Sequence, residues 1–325
     1  MKELFKSGYL CNPQQAYTLR RTVIDEGRAS GVKVIEIATA GGLQLDLLPD
    51  SGLDMGQARY RGVNMSWISK NGYDAPRCDI PFENEFTKYF PGGLLYTCGL
   101  RSTGPANRDG DEWHPLHGRF HGLSAEQVSA RVEDDVIVVS GVIRETALFG
   151  HVLEVRREYR IPIFGAEIHL RDTLTNLTPH PEEYAMLYHC NFGWPLVCPD
   201  ARVELPEQRR TTPRTPWAAT ILGQEQTFVE PVPGEEERVF FHEDMEKRVS
   251  IVNPKLDTRM TLCWSDSLPI LSHWRSMANG DYVCGLEPTN CYIMGRSAER
   301  ENGTLPVLEP FATVENSIDI KFEGL

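Results

Sequence analysis

Apolar and polar residues alternate with a period of two along most of this chain. Val32 to Thr39 reads VKVIEIAT and Leu43 to Leu48 reads LQLDLL, with Gly41-Gly42 between them. That is the pattern of two half-buried strands joined by a turn. From about Val128 to Thr178 the runs VSARV, DVIVVSGVI, HVLEVRREYRI and AEIHLRDTLTNLT follow one another with only short Asp, Gly or Pro punctuation. They predict a meander of long antiparallel strands. Further β-like runs lie at 248–252, 258–264, 268–274 and 314–322.

Helical signals are few. Asn12-Pro13 predicts the cap and first residue of a helix carrying Ala16, Leu19 and Val23 on one face and closing near Gly27. A second short helix is predicted to gather Phe82, Phe86, Tyr89 and Phe90 before Pro91-Gly92-Gly93 stops it. The stretch from about Cys198 to Glu237, rich in Pro, Thr and Glu, reads as a long excursion or lid. Neither a repeat nor a linker divides the chain, and no G-x-G-x-x-G or phosphate loop is present. Many strands with few helices imply sheet packed on sheet. The expectation is an all-β chain, one large twisted antiparallel β-sandwich domain over residues 1–325.

Composition narrows the chemistry. The 325 residues include 33 Lys+Arg against 46 Asp+Glu, a formal charge of −13. An acidic surface argues against nucleic acid and anionic membranes as partners, because both require basic residues to displace counterions. No apolar run reaches the roughly 18–20 residues needed to span a bilayer, and Lys2, Glu3 and Lys6 interrupt the start. A soluble, cytoplasmic protein without a secretory signal is expected. The eight cysteines contain no C-x-x-C pair and mostly sit among apolar neighbours, so reduced structural thiols are expected.

Three segments concentrate acid–base residues among glycines and aromatics. The first runs from Gly92-Gly93-Leu94-Leu95-Tyr96-Thr97-Cys98-Gly99-Leu100 through a polar loop to His114-Pro115-Leu116-His117-Gly118-Arg119-Phe120-His121. Pro115 and Gly118 argue against a helix presenting two histidines to a metal. If extended, the segment puts His117, Arg119 and His121 on one face. A guanidinium there disfavours a divalent cation and suits hydroxyls or an oxyanion. A metal held by His114, His117 and His121 is one alternative, and histidines satisfied by loop carbonyls are another. The second segment is Tyr188-His189-Cys190-Asn191-Phe192-Gly193-Trp194-Pro195, ending the strand EEYAMLYH. Alternation there places Ala185, Leu187 and His189 on one side and Tyr184, Met186 and Tyr188 on the other. The third is Cys284-Gly285-Leu286-Glu287-Pro288-Thr289-Asn290, preceded by Leu271-Ser272-His273-Trp274-Arg275. A carboxylate between Leu286 and Pro288 is expensive to bury. Either it is a general base with a raised pKa, or it pairs with an arginine such as Arg275 or Arg296.

The patterns GGLLYTCGL, LHGR, LYHCNFGWP and GLEPTN, with the early LLPDSGLDMGQARYRGVNMSWIS, resemble the aldose 1-epimerase (galactose mutarotase) superfamily. The branch they resemble most is known as an aldose-epimerase-like domain of unknown function, and the likeness covers nearly the whole chain. It implies a supersandwich with a sugar cleft on one sheet and no cofactor. It also implies His189 as catalytic acid and Glu287 as base, although Cys190-Asn191-Phe192-Gly193 departs from the family's usual continuation after the histidine. His117 matches a second family histidine that binds the sugar. The arginine that steers hydroxyls is matched to Arg119, with Arg101 as the alternative, and Trp274 and Asn290 complete the expected substrate-binding set. The family's hydroxyl-gripping aspartate has no recognisable match, which points away from galactose as the preferred sugar.

The implied reaction interconverts α and β anomers of a neutral monosaccharide through the open-chain aldehyde. A homodimer is left open. Three other readings compete. A glycoside hydrolase or lyase needs a second carboxylate, for which Glu183, Asp54 and Glu309 are candidates. A sugar-binding module would lack the acid and base, and a metal-dependent isomerase would use the histidine segment.

Overall fold

The computed structural model describes residues 1–75 and 83–325. The four runs of the predicted meander become Glu126–Glu133, Val136–Thr146, Val152–Pro162 and Glu167–Asn176, each antiparallel to the next. Thr313–Glu323, Thr258–Trp264, Arg248–Asn253 and Arg202–Glu204 extend them into an eight-stranded sheet. Period-two alternation explains its single buried face: along Glu167–Asn176 every second residue from Ile168 to Asn176 is buried. A six-stranded sheet packs opposite, in the order Arg210–Pro213, Arg238–Glu243, Ile270–Ala278, Asp281–Thr289, Ala185–Gly193 and Leu95–Leu100. A five-stranded sheet from Tyr17–Val23 to Val63–Asn64 closes one end. One apolar cluster draws residues from all three sheets, such as Leu45, Leu170 and Phe192. Among the described residues no helix exceeds six residues or is long and apolar enough to cross a membrane.

The strand Ala185–Gly193 is buried on both faces. Met186, Tyr188, Cys190 and Phe192 enter the main core. Leu187 belongs to a smaller cluster on the other face with Tyr96, Cys98, Val239 and Phe241. His189 shares the face of Leu187, as alternation requires. This outer face of the six-stranded sheet carries the pocket described below.

Where the chain was read as helical, pairing across strands overrides local signals. Asn12 does cap a turn, accepting from the Gln14 amide at 3.0 Å, but the turn is a three-residue 3-10 segment, Pro13–Gln15. Tyr17–Val23 then runs as a strand against Lys33–Thr39. Its β-branched and aromatic residues fit a pleated surface better than a helix. The second helix is one turn, Glu83–Phe86, with Phe86 and Phe90 stacked at 5.1 Å. Tyr89 turns away beneath Arg28, and Phe82 lies outside the described residues. The expected excursion contains two short strands and the helix Pro216–Ala219, capped by Thr215. The seven described cysteines are free, and Cys78 lies outside the described residues.

A buried ionic knot ties the sheets together beneath the pocket. Arg157 donates to Asp172 at 2.9 and 2.7 Å, to Asp54 at 2.5 Å, to the Gly52 carbonyl at 2.9 Å and to Thr97 at 3.0 Å. Every guanidinium N–H is thus used, and all three charged side chains are fully buried. Tyr188 donates to Asp172 at 2.8 Å. Asp54 also accepts from the Thr97 amide at 2.7 Å. The knot therefore fixes the strand of Thr97 and the residue preceding His189.

Candidate active site

Glu287 stands opposite Ser272 on the adjacent strand, and its neighbour Leu286 pairs with Cys190. That register brings His189 Nε2 to 3.1 Å from Glu287 Oε1. Both side chains are almost completely buried, at 7% and 1% exposure. The two arginines that the sequence offered as partners for Glu287 are engaged elsewhere. Arg275 donates to the Glu225 and Thr227 carbonyls, and Arg296 to Asp109 and Glu183. Burial pushes the Glu287 carboxyl up to about 8, with the Ser272 hydroxyl offsetting part of the rise. Burial likewise pulls His189 down to about 4. At neutral pH the pair therefore holds one proton, on Glu287.

Gly285 makes room for that carboxylate. A Cβ there would lie 2.5 Å from Glu287 Oε1 and 3.0 Å from the Trp274 ring. Gly285→Ala must move the carboxylate, and displacements of about 1 Å can cost roughly 10²-fold in rate. A loss of that order in kcat is expected in a variant that still unfolds cooperatively. Turnover within about twofold of the parent would reject this role for Gly285.

The pair opens into a pocket of about 570 Å³. Aromatic rings surround His189: His117 at 5.7 Å, Phe90 at 5.5 Å and Trp274 at 5.3 Å between centroids. Trp67 meets Trp274 edge-on at 5.9 Å. His117 lines the pocket, packed on Phe86 at 5.4 Å. Burial, with His189 and Arg214 nearby, holds its imidazole well below the usual range. It is a neutral hydrogen-bonding group at physiological pH.

The structure brings His189, Glu287, His117 and Trp274 together and leaves the other expected residues outside the pocket lining. The extended reading of residues 117–121 is overturned. His117 adopts φ 61°, and Phe120–Gly122 form a 3-10 turn, so the shared face is lost. Arg119 instead donates to the Trp113 carbonyl at 3.0 Å. Arg101 is held by Glu182 at 2.7 Å and Glu112 at 2.8 Å. Asn290 accepts from the Met186 amide at 2.8 Å and braces the backbone. His114 is buried near Glu112, and His121 lies 2.7 Å from Asp54, stacked on Tyr96. Among the described residues no cluster of three or more His, Cys, Asp or Glu could hold a metal.

Several pocket residues escaped the sequence reading, among them Arg214 and Glu237 in the stretch taken for a lid. Arg214 follows the strand Arg210–Pro213, where its amide donates to the Val239 carbonyl. Its guanidinium lines the pocket near Glu287 and His117 with no protein partner among the described residues. Glu237 also lines the pocket, accepting from Trp274 Nε1 at 2.7 Å. The sequence carried no signal for either, since Arg214 stands between Pro213 and Thr215 and Glu237 between Glu236 and Arg238 in a segment without periodicity. Glu183, Asp54 and Glu309, considered as second carboxylates, are absent from the lining.

Similar structures share this architecture. A proposed aldose 1-epimerase from Klebsiella pneumoniae superposes with a TM-score of 0.88 at 24% identity, covering 96% of this chain and 86% of that one. A galactose mutarotase-like protein from Clostridium acetobutylicum gives a TM-score of 0.67 at 15% identity, with 96% and 100% coverage. The galactose 1-epimerase of Lactobacillus acidophilus gives 0.62 at 11%, with 95% and 99% coverage. At these identities the likeness shows the fold, a galactose mutarotase-like β-sandwich. A search of curated protein sequences returns no match. The model of one family, the domain of unknown function DUF4432, matches residues 29–322, and the chain belongs to that family.

Proposed function

We propose that this protein is an aldose 1-epimerase acting on a neutral aldose, with His189 and Glu287 as the catalytic pair. The observation that carries the reading is the 3.1 Å contact between a buried carboxyl raised to about 8 and a buried imidazole lowered to about 4, opening into a pocket of about 570 Å³. Anomer exchange asks for just such a single shared proton. One group takes the proton of the C1 hydroxyl while the other protonates the ring oxygen, so that the C1–O bond breaks and the aldehyde forms. Rotation about C1–C2 and the reverse transfers close the ring on the other face. Protons and electrons balance within the cycle. Each positioned transfer is worth about 10²–10⁴ in rate.

The family-implied division, Glu287 as base and His189 as acid, requires the proton to move from Glu287 to His189. Burial opposes that move in the protein alone, because it separates charge in a poorly solvated site. A bound sugar supplies hydroxyls to both groups and lowers this cost. His117 and Arg214 would then donate to sugar oxygens, and Glu237 would accept from hydroxyls, the task expected of the missing aspartate. Trp274 would offer its face to the ring.

The test follows freshly dissolved pure anomers by polarimetry or NMR. Mutarotation above the buffer rate is expected for at least one neutral aldose, with galactose not the best. The pH profile of kcat/KM should be bell-shaped, flat between limbs near 4 and 8. Below the lower limb the pair gains a second proton, and above the upper it loses its only one. Release of product from glycosides, with no mutarotation, would redirect the assignment to hydrolysis using Glu237 as the second carboxylate.

A further inference from the structure

The pocket is longer than one sugar ring. Ser272, facing Glu287, begins a file of alternate residues on the strand Ile270–Ala278. Trp274, Ser276 and Ala278 all line the pocket, while Arg275 and Met277 point to the other side of the sheet. The seven residues from Ser272 to Ala278 advance about 20 Å, of which the lining from Trp274 to Ala278 takes about 13 Å. The half of this lane beyond Trp274 has a floor of a hydroxymethyl and a methyl group only, which leaves depth above the sheet. Its walls are built. Trp67 stands on one side and Glu237 on the other. Lys70 and Asp281 close the far end as an ion pair at 2.5 Å, and Glu235 is paired with Arg238.

We infer that this outer half is a second sugar subsite, and that the substrate is a neutral reducing disaccharide whose terminal aldose reaches His189 and Glu287. The inference rests on the epimerase reading for the inner half. Charge supports a neutral glycosyl unit. Lys70 and Asp281 satisfy one another, as do Glu235 and Arg238, so among the described residues the far end holds no unpaired charge. The charges without an ion pair, Glu237 and Arg214, lie beside Trp274 and near Glu287. An indole wall offers the apolar face of a pyranose a platform, and Glu237 with the paired rim groups offers hydroxyl partners at its edge. The volume of about 570 Å³ lies inside the range of roughly 300–1,000 Å³ that holds drug-sized ligands, more than one hexose fills.

Isothermal calorimetry on the whole protein decides the subsite separately from catalysis. The probes are maltose, cellobiose, xylobiose, mannobiose and galactobiose, each beside its reducing-end monosaccharide. At least one disaccharide is expected to bind about tenfold more tightly than its monosaccharide. In Ala278→Trp, which fills the floor, that preference should fall to about one. If no disaccharide outbinds its monosaccharide, or if the preference survives in Ala278→Trp, the subsite is wrong. The same pairs are then followed for mutarotation. Tight disaccharide binding without mutarotation would retain the subsite and discard the epimerase reading, whereas mutarotation with no disaccharide preference would do the reverse.

Discussion

Glu287→Gln lowers kcat at least about 10²-fold and leaves KM within a few fold, because the amide keeps the shape of the carboxyl but cannot exchange a proton. The same variant carries a second signature that separates a catalytic carboxyl from a structural one. Glu287 is almost fully buried, and burial raises its pKa from 4.5 to about 8. Between those values the folded protein holds a proton that the unfolded chain has released, so wild-type stability falls as pH rises, by at most about 1.4 kcal/mol per unit. Glutamine has no such dependence. The variant should therefore match the wild type near pH 4 and exceed it increasingly up to pH 8. Denaturant unfolding at a series of pH values, beside kinetics, reads both effects. Undiminished kcat would reject Glu287 as a proton-transfer group, and a variant less stable than wild type at pH 8 would show that the carboxyl is held by compensating bonds instead.

Most of the fold was legible because it is written in short-range alternation. The runs between 128 and 178 emerge as four paired strands, and 258–264 is a strand over its predicted range. Alternation also placed His189 and Leu187 on a common face. What failed depends on groups distant in sequence. Tyr17–Val23 is a strand because Lys33–Thr39 offers it a partner, a fact that its cap-like start conceals. His117 enters the pocket through a left-handed backbone turn, so the two-residue period that grouped it with Arg119 does not apply. Arg119 and Arg101 carried the right charge, but the Trp113 carbonyl and two glutamates hold them elsewhere. Arg214 and Glu237 reach the pocket from a segment whose sequence shows no period. Pattern tells which face a side chain takes within a strand, and only the tertiary structure tells which charges already have partners.

That distinction sets the expected result for the charge with the most partners. Arg157→Met should cost about 3–5 kcal/mol of unfolding free energy, since removing one member of a buried ionic group leaves its counter-charges unpaired. Methionine fills much of the same volume, so cavity formation contributes little. Asp54 and Asp172 then remain fully buried, with Thr97, Tyr188 and His121 as their polar contacts. Against a total stability of roughly 5–15 kcal/mol this is a large fraction. Arg157→Lys retains the charge but replaces a planar fork of five N–H groups with three mobile ones, and its loss should be smaller than that of the methionine variant. Urea unfolding at neutral pH measures both. A loss below about 1 kcal/mol in Arg157→Met would show that the aspartates find other compensation, and equal losses in the two variants would show that bidentate geometry, not charge, makes the knot. Because Tyr188 and Thr97 belong to the strands of His189 and Tyr96, the lysine variant should also shift the lower limb of the activity profile, a displacement that a purely global destabilisation would not produce.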